Sequence, residues 1–337
     1  MDAEPIPRLR QRNAVGPRRP ATVGGVITDE DVRAAAERIA GQVRPVALAP
    51  AGERVWFALE FLQHTGTFKA RGALNFTAAR AEAADVPAAG VAIASGGNAG
   101  LACAWAARRL GVAATVFVPR TAPAVKVARL RDLGADVRQV GAEYAEAADA
   151  CAEFVSVSGA LASHAYDHPL IAAGAGTLLH EILAARPGVS TVVVATGGGG
   201  LFAGMAAAAE RRGVRVVAVE PEGSRALHAA LAAGAPVDVV VDSLAADSLG
   251  ARRVSADALH WALRPHARSV LVSDPDIAAA RRRLWGEHRV AVEAGAAAAP
   301  AALWSGAYAP GADEEVCVVL CGANTDPSDL ASLPEAG

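Results

Sequence analysis

Lysine is the most informative residue type in this chain, because only Lys69 and Lys126 stand against thirty arginines among its 337 residues. A chain this sparing of lysine that keeps one has use for an amine, since arginine stays protonated and cannot act as a nucleophile. Lys126 lies in AVKVARLRDLG, an ordinary amphipathic helical pattern, where a surface role is expected. Lys69 lies in HTGTFKARGALN, a polar, glycine-bearing turn that runs into a helix. Desolvation there, or a nearby cation, lowers the pKa of an amine and makes it a Schiff-base nucleophile. Two glycine-rich turns, SGGNAG (Ser95 to Gly100) and TGGGGL (Thr196 to Leu201), each follow an apolar strand and precede a helix. Such turns aim backbone N–H groups into one small volume at the positive end of a helix, so each can hold an anion. The four glycines Gly197 to Gly200 suit a phosphate, and SGGN, with Ser95 and Asn98, suits a carboxylate beside a polar ring. A second reading is open here: Gly198, Gly200 and Ala203 fit the G-x-G-x-x-A form of the dinucleotide fingerprint, and Glu220 ends the next strand at the spacing of a ribose-binding acid. That reading makes the protein a nicotinamide-dependent (NAD) oxidoreductase, but it leaves Lys69 and SGGN without a task.

The elements that must position these residues are those of a globular α/β chain. With 53% hydrophobic residues, 20% charged and a net charge of −3, the sequence has the material for a substantial core and is not that of a disordered chain or a nucleic-acid binder. The longest uncharged stretch, Gly188 to Ala209, is broken by its four glycines and reads as strand, loop and helix start, so no membrane partner is expected. The N-terminal twenty residues hold no apolar run of a secretory signal, and a cytoplasmic location follows. Cys103, Cys151, Cys317 and Cys321 contain no C-x-x-C pair, and Cys317 and Cys321 on one strand lie about 13 Å apart, so reduced thiols are expected. His164 and His168 stand four apart in a turn-like context, which is a poor arrangement for a metal. GVAIA, ATVFVP, ADVRQV, TVVVA, VRVVAVE and VCVVL are continuously apolar or β-branched strands, with helical segments such as LACAWAARRLG and LFAGMAAAAERRG among them. That alternation predicts parallel sheets covered on both faces, which bind ligands at the carboxyl ends of their strands. Thr28 is the expected N-cap of the first helix, which closes at Gly41.

Taken in order, TGTFKARGALN, SGGNAG, TGGGGL, VEPEG and LCGANTD, together with SHAYDHPLIAAGAGT and VEAGAAAA, resemble the serine/threonine dehydratases of the fold-type II pyridoxal-phosphate family. The resemblance runs from about Thr28 to Asp329 and implies a tryptophan-synthase-β-like fold of two open, twisted, mostly parallel α/β domains. The implied division is an N-terminal arm (1–27), a large cofactor-binding domain (28–84 and 163–330) and a small domain (85–162). It also implies pyridoxal 5'-phosphate as cofactor, an amino acid as substrate and assembly as a homodimer. By the same resemblance Lys69 is the Schiff-base lysine and catalytic base, Phe68 packs on the ring, and Gly197, Gly198, Gly199, Gly200 and Leu201 hold the phosphate, which is the usual proton donor to the leaving hydroxyl. Asn98 bonds the ring hydroxyl, Glu293 is an acid near the ring, Cys321 faces the pyridine nitrogen, and Ser95, Gly96, Gly97 and Asn98 take the substrate carboxylate.

The implied activity is that of a threonine/serine ammonia-lyase: α,β-elimination of a β-hydroxy amino acid to a 2-oxo acid and ammonia, with racemisation or β-replacement as the alternatives inside the family. Departures from the family pattern bear on the choice. Gly96 stands where serine racemases carry a second serine, so no acid faces the lysine from the opposite side and racemisation is disfavoured. Ala175 replaces the usual Gln of G-x-G-T, Ala323 replaces a frequent Gly, and Ala226 stands where the cation site of some relatives, begun here by Glu220, has an aspartate. Weak metal dependence is expected, because a hard cation wants a full set of oxygen ligands.

Overall fold

The computed structural model of the protein describes residues 25–331, so the arm expected over residues 1–27 lies largely outside the described residues. Ten strands divide between two sheets. Residues 91–162 build the smaller one from β3 (Val91–Ala94), β4 (Ala114–Val118), β5 (Asp136–Gln139) and β6 (Leu161–Ala162), all parallel, in the order β5-β4-β3-β6. The larger comprises β1 (Leu48–Gly52), β2 (Val55–Ala58), β7 (Thr191–Ala195), β8 (Arg215–Pro221), β9 (Ala267–Val272) and β10 (Val316–Val319), in the order β1-β2-β10-β7-β8-β9. Only β1 and β2 pair antiparallel, as a hairpin at the sheet edge. Each of the six strands that the sequence pattern predicts is a strand here, and β7, β8 and β10 are buried over almost their whole length, as parallel strands covered on both faces must be.

The helices are α1 (Asp29–Ile39), α2 (Lys69–Glu82), α3 (Asn98–Leu110), α4 (Ala124–Asp132), α5 (Tyr144–Ser158), α6 (Pro169–Ala185), α7 (Gly200–Ala209), α8 (Ala226–Ala233), α9 (Ala246–Leu249), α10 (Ala256–Ala262), α11 (Asp274–His288), α12 (Ala294–Trp304) and α13 (Ser328–Ala331). Thr28 caps α1 in a reciprocal box with Asp31, the arrangement that satisfies two orphan N–H groups of a first turn. Alanine and glycine dominate the helices behind the larger sheet because they cross at contact distance. A Cβ on Gly176 of α6 would lie 2.4 Å from the carbonyl oxygen of Gly204 in α7, so the AGAGT segment is glycine at that point for packing. The alanine tract 294–304 is α12, buried from Gly295 to Ala302.

The start of α2 is fixed from three directions. Arg71, fully buried, donates from Nε to Glu60 Oε1 (2.5 Å) and from Nη1 and Nη2 to the two carboxylate oxygens of Glu181 on α6 (2.6 and 2.8 Å). At the carboxyl end of β10, Thr67 bridges Gly322 and the Phe68 N–H donates to the Cys321 carbonyl (2.9 Å). The residue that follows these anchors is Lys69. Among the described residues no helix is long and apolar enough to cross a membrane, and the four cysteines are buried and unpaired.

Candidate active site

A cavity of about 350 Å³ opens where the carboxyl ends of β3, β7 and β10 approach the start of α2. Phe68, Lys69, Ser95, Gly96, Gly97, Asn98, Gly197, Gly198, Gly199, Gly200, Leu201, Glu293 and Cys321 all line it, so every site residue singled out from the sequence falls on one surface. Lys69 is the first residue of α2, and its Nζ donates to the Ala165 carbonyl (3.0 Å) and lies 4.8 Å from the Phe68 ring centroid. Burial holds this amine below its ordinary pKa, against the opposing pull of Cys321 and Glu293. The positive end of α2 acts in the same direction as burial.

The two glycine turns occupy equivalent places. Ser95 to Gly97 lead from β3 into α3, whose first residue is Asn98, and Gly197 to Gly199 lead from β7 into α7. Among the described residues no backbone carbonyl accepts from the N–H of Gly197, Gly198 or Gly199, and the first turn of α7 adds N–H groups with no intrahelical partner. Gly199 caps α7 at φ +90°, a left-handed conformation that glycine adopts at no steric cost. Gly198 is glycine for a second reason: a Cβ there would meet the Tyr166 ring at 2.3 Å. Tyr166 therefore lies on the turn, its hydroxyl donating to the Arg253 carbonyl (3.0 Å). The result is a cradle of N–H donors whose own residues carry no side chain, which fits a phosphate group.

Glu293, the N-cap residue of α12, carries the buried carboxylate of the site. Asn98 Nδ2 donates to both of its oxygens (2.9 and 3.0 Å), and Asn98 Oδ1 accepts from Asn324 Nδ2 (2.7 Å). Asn324 in turn accepts from Arg129 Nη2 of α4 (2.8 Å), so a polar chain runs from the cavity to the surface. Burial raises the Glu293 pKa, while Asn98 and Lys69 oppose the rise. Cys321, just past the end of β10, is buried, and its thiol is held neutral by burial and by Glu293. A desolvated amine, two glycine turns at helix starts and a hydrogen-bonded carboxylate together suit a phosphorylated aldehyde cofactor and an amino acid.

The profile of the family described as "Pyridoxal-phosphate dependent enzyme" matches residues 42–322. The chain belongs to that family. Among similar proteins, a phenylserine dehydratase of Ralstonia pickettii is 39% identical over 83% of this chain and 86% of its own. An L-threonine ammonia-lyase of Geobacter sulfurreducens is 35% identical over 85% of this chain and 71% of its own. Maize serine racemase superposes with a TM-score of 0.83 at 26% identity, covering 91% of this chain and 96% of that one.

The remaining sequence features have other tasks. Glu220, read as a ribose or cation ligand, is fully buried, and its two oxygens accept from the N–H groups of Leu227 and His228 (2.7 and 2.8 Å) in the first turn of α8. Both oxygens are thus spent on a helix terminus, which leaves the dinucleotide fingerprint without its acid. The Nδ1 atoms of His164 and His168 each accept from backbone N–H groups nearby, and no set of three or more metal-ligating side chains forms among the described residues. Lys126, expected at the surface, is partly exposed and pairs with Asp247 at the cavity rim (2.8 Å). Asn324, Arg129 and the Arg71 carboxylate pairs escaped the sequence reading. Of these only Asn324, inside the LCGANTD turn, carried a local signal.

Proposed function

We propose that the protein is an ammonia-lyase that removes water and ammonia from a β-hydroxy amino acid of the threonine/serine class, with Lys69 as the cofactor-binding lysine and catalytic base. The observation that carries this reading is the convergence on one cavity of a desolvated amine and two glycine turns that each open a helix. The relatives named above act, by their names, on phenylserine and threonine, and both are β-hydroxy amino acids.

Pyridoxal phosphate supplies, when bound, an electron sink that makes the proton on Cα acidic. Gly197 to Leu201 would hold its phosphate. The Ser95-to-Asn98 turn binds the substrate carboxylate at the start of α3. Lys69 Nζ, its pKa lowered by burial and its position steered by the Ala165 carbonyl, takes the proton from Cα. Asn98 fixes the Glu293 carboxylate in the cavity, and Cys321 would offer a neutral partner, not a charged one, to a bound cofactor ring. Gly96 places no side chain in the cavity that could return a proton from the opposite face, which favours elimination over racemisation.

The partition of strands between two sheets supports a large domain of residues 28–84 and 163–330 and a small domain of 85–162. Unpaired cysteines support a cytoplasmic location, and the family resemblance supports a homodimer, which light scattering measures. The deciding experiment on the reaction combines three readouts: the absorbance of the purified protein, peptide mapping after borohydride reduction, and release of 2-oxo acid from L-threonine and L-serine. A visible band, a reduced cofactor on Lys69 and loss of turnover in Lys69→Ala are the expected results. A colourless protein that binds NADH, or label on Lys126, overturns the reading.

A further inference from the structure

Lys69, the glycine turns and the Asn98–Glu293 pair take up the inner end of the cavity. Its outer end is built differently. Tyr144, the first residue of α5, lines it with 64% of its surface exposed. His164 and Tyr166, from the segment between β6 and α6, connect this end to the inner one: they flank Ala165, the Lys69 contact, Tyr166 lies on the Gly198 turn, and their rings meet edge to face with centroids 4.8 Å apart. The Tyr166 hydroxyl is engaged by the Arg253 carbonyl, so this side chain presents ring and not a free donor. His164 Nδ1 accepts from the N–H groups of Tyr166 and Asp167 (3.3 and 2.8 Å), which places its proton on Nε2. Burial keeps the imidazole below its ordinary pKa and hence neutral at pH 7. The remaining charged group at the rim, Asp247, is paired with Lys126 (2.8 Å).

Among the described residues no unpaired charge at the outer end is therefore free to receive a charged side chain. A methyl group or a hydrogen on the β-carbon leaves the Tyr144 ring in water. A flat apolar group covers it and meets the other rings in the edge or offset geometry that aromatic pairs favour. From these observations we infer that the outer end of the cavity is a subsite for an aromatic β-substituent, that the substrate class is 3-aryl-3-hydroxy-2-amino acids, and that Tyr144 sets the preference. The inference rests on the ammonia-lyase reading and narrows it. Burying a phenyl group in place of a methyl is worth at least about tenfold in kcat/KM by general transfer energies.

The test uses the holoenzyme and its Tyr144→Ala and Tyr144→Phe variants. 2-Oxo acid release is followed from L-threo-3-phenylserine and from L-threonine, and the cofactor absorbance is titrated with L-phenylalanine and L-alanine, which lack the leaving hydroxyl. The parent is expected to favour phenylserine over threonine by about tenfold or more and to bind phenylalanine more tightly than alanine. Both ratios fall about tenfold in Tyr144→Ala and persist in Tyr144→Phe, which keeps the ring. Equal or better use of threonine by the parent, or unchanged ratios in Tyr144→Ala, overturns the subsite. If neither hydroxy acid is turned over, the lyase reading falls instead, and the phenylalanine-to-alanine binding ratio still decides the subsite.

Discussion

Asn98 and Glu293, 195 residues apart in sequence, are joined by two hydrogen bonds from one amide nitrogen, at 2.9 and 3.0 Å to the two carboxylate oxygens. The pair ties the first turn of α3, on the small-sheet side, to the N-cap of α12 behind the large sheet. It thus fixes the width of the cavity as well as the orientation of the carboxylate. Asn98→Ala leaves a buried carboxylate short of donors, a loss of about 1–3 kcal/mol. The expected outcome is cofactor affinity lowered by about tenfold or more, since 1.4 kcal/mol is a factor of ten, read by fluorescence titration of the apoenzyme. Asn98→Asp, which sets two carboxyl groups together, weakens it further. Cofactor affinity in Asn98→Ala equal to that of the parent means that the pair is not part of the cofactor site.

Arg71 holds α2 by pairing with Glu60 and Glu181, and it is fully buried. Removing one partner from such a cluster strands the others in a low-dielectric place, at a cost of about 3–5 kcal/mol. Arg71→Met is expected to lower unfolding free energy by that amount in urea denaturation. Adding Glu60→Gln restores part of the loss, because the stranded charge is removed. A double variant no more stable than the single one refutes the account.

How far the fold and the site can be read from the sequence depends on whether a signal is local. The strands β3, β4, β7, β8 and β10 carry unbroken apolar runs because both faces are covered. By contrast β1 contains Pro50 and Gly52, and β9 carries Arg268 and Ser269. Both are edge strands, where pairing on one side tolerates residues that a central strand excludes. In the site, the glycine turns and Lys69 are legible because each is a short segment with its own chemistry. Partners such as Arg71 with Glu181, or Arg129 with Asn324, are set by helix packing across 110 and 195 residues, and nothing in the flanking sequence marks them.

Cys321 tests the electronic side of the proposal. Its thiol is buried and neutral, pushed above its ordinary pKa by burial first and by Glu293 second. A neutral partner would leave the ring nitrogen of a bound cofactor uncharged and so weaken the electron sink that the cofactor supplies. Elimination then proceeds best when the β-hydroxyl departs nearly together with Cα–H cleavage. Cys321→Ser, small and neutral, is expected to keep elimination. Cys321→Asp favours a protonated ring nitrogen by adjacent opposite charge, so it is expected to slow elimination and raise transamination and racemisation, measured by product chromatography. An Asp variant as fast as the parent with no new products places Cys321 away from the ring nitrogen.

Glu220 gives the molecule a pH-dependent stability that is separate from its chemistry. Burial lifts its carboxyl pKa to about 7 from an ordinary 4.5, although the Leu227 and His228 N–H groups oppose the rise. The raised value means that between pH 4.5 and 7 the folded chain keeps a proton that the unfolded chain has released. The stabilisation from this group is therefore complete below 4.5, is lost as pH rises to about 7, and is constant above. The span corresponds to a change on the order of 3 kcal/mol. Glu220→Gln does not titrate, and with one acceptor oxygen for two N–H groups it carries a constant penalty of about 1 kcal/mol. Urea denaturation at pH 5, 6.5 and 8 separates the two effects. Parent stability is expected to fall relative to the variant as pH rises, most of the change lying below pH 7, and curves that stay parallel across this range mean that Glu220 is ionised in the folded chain throughout.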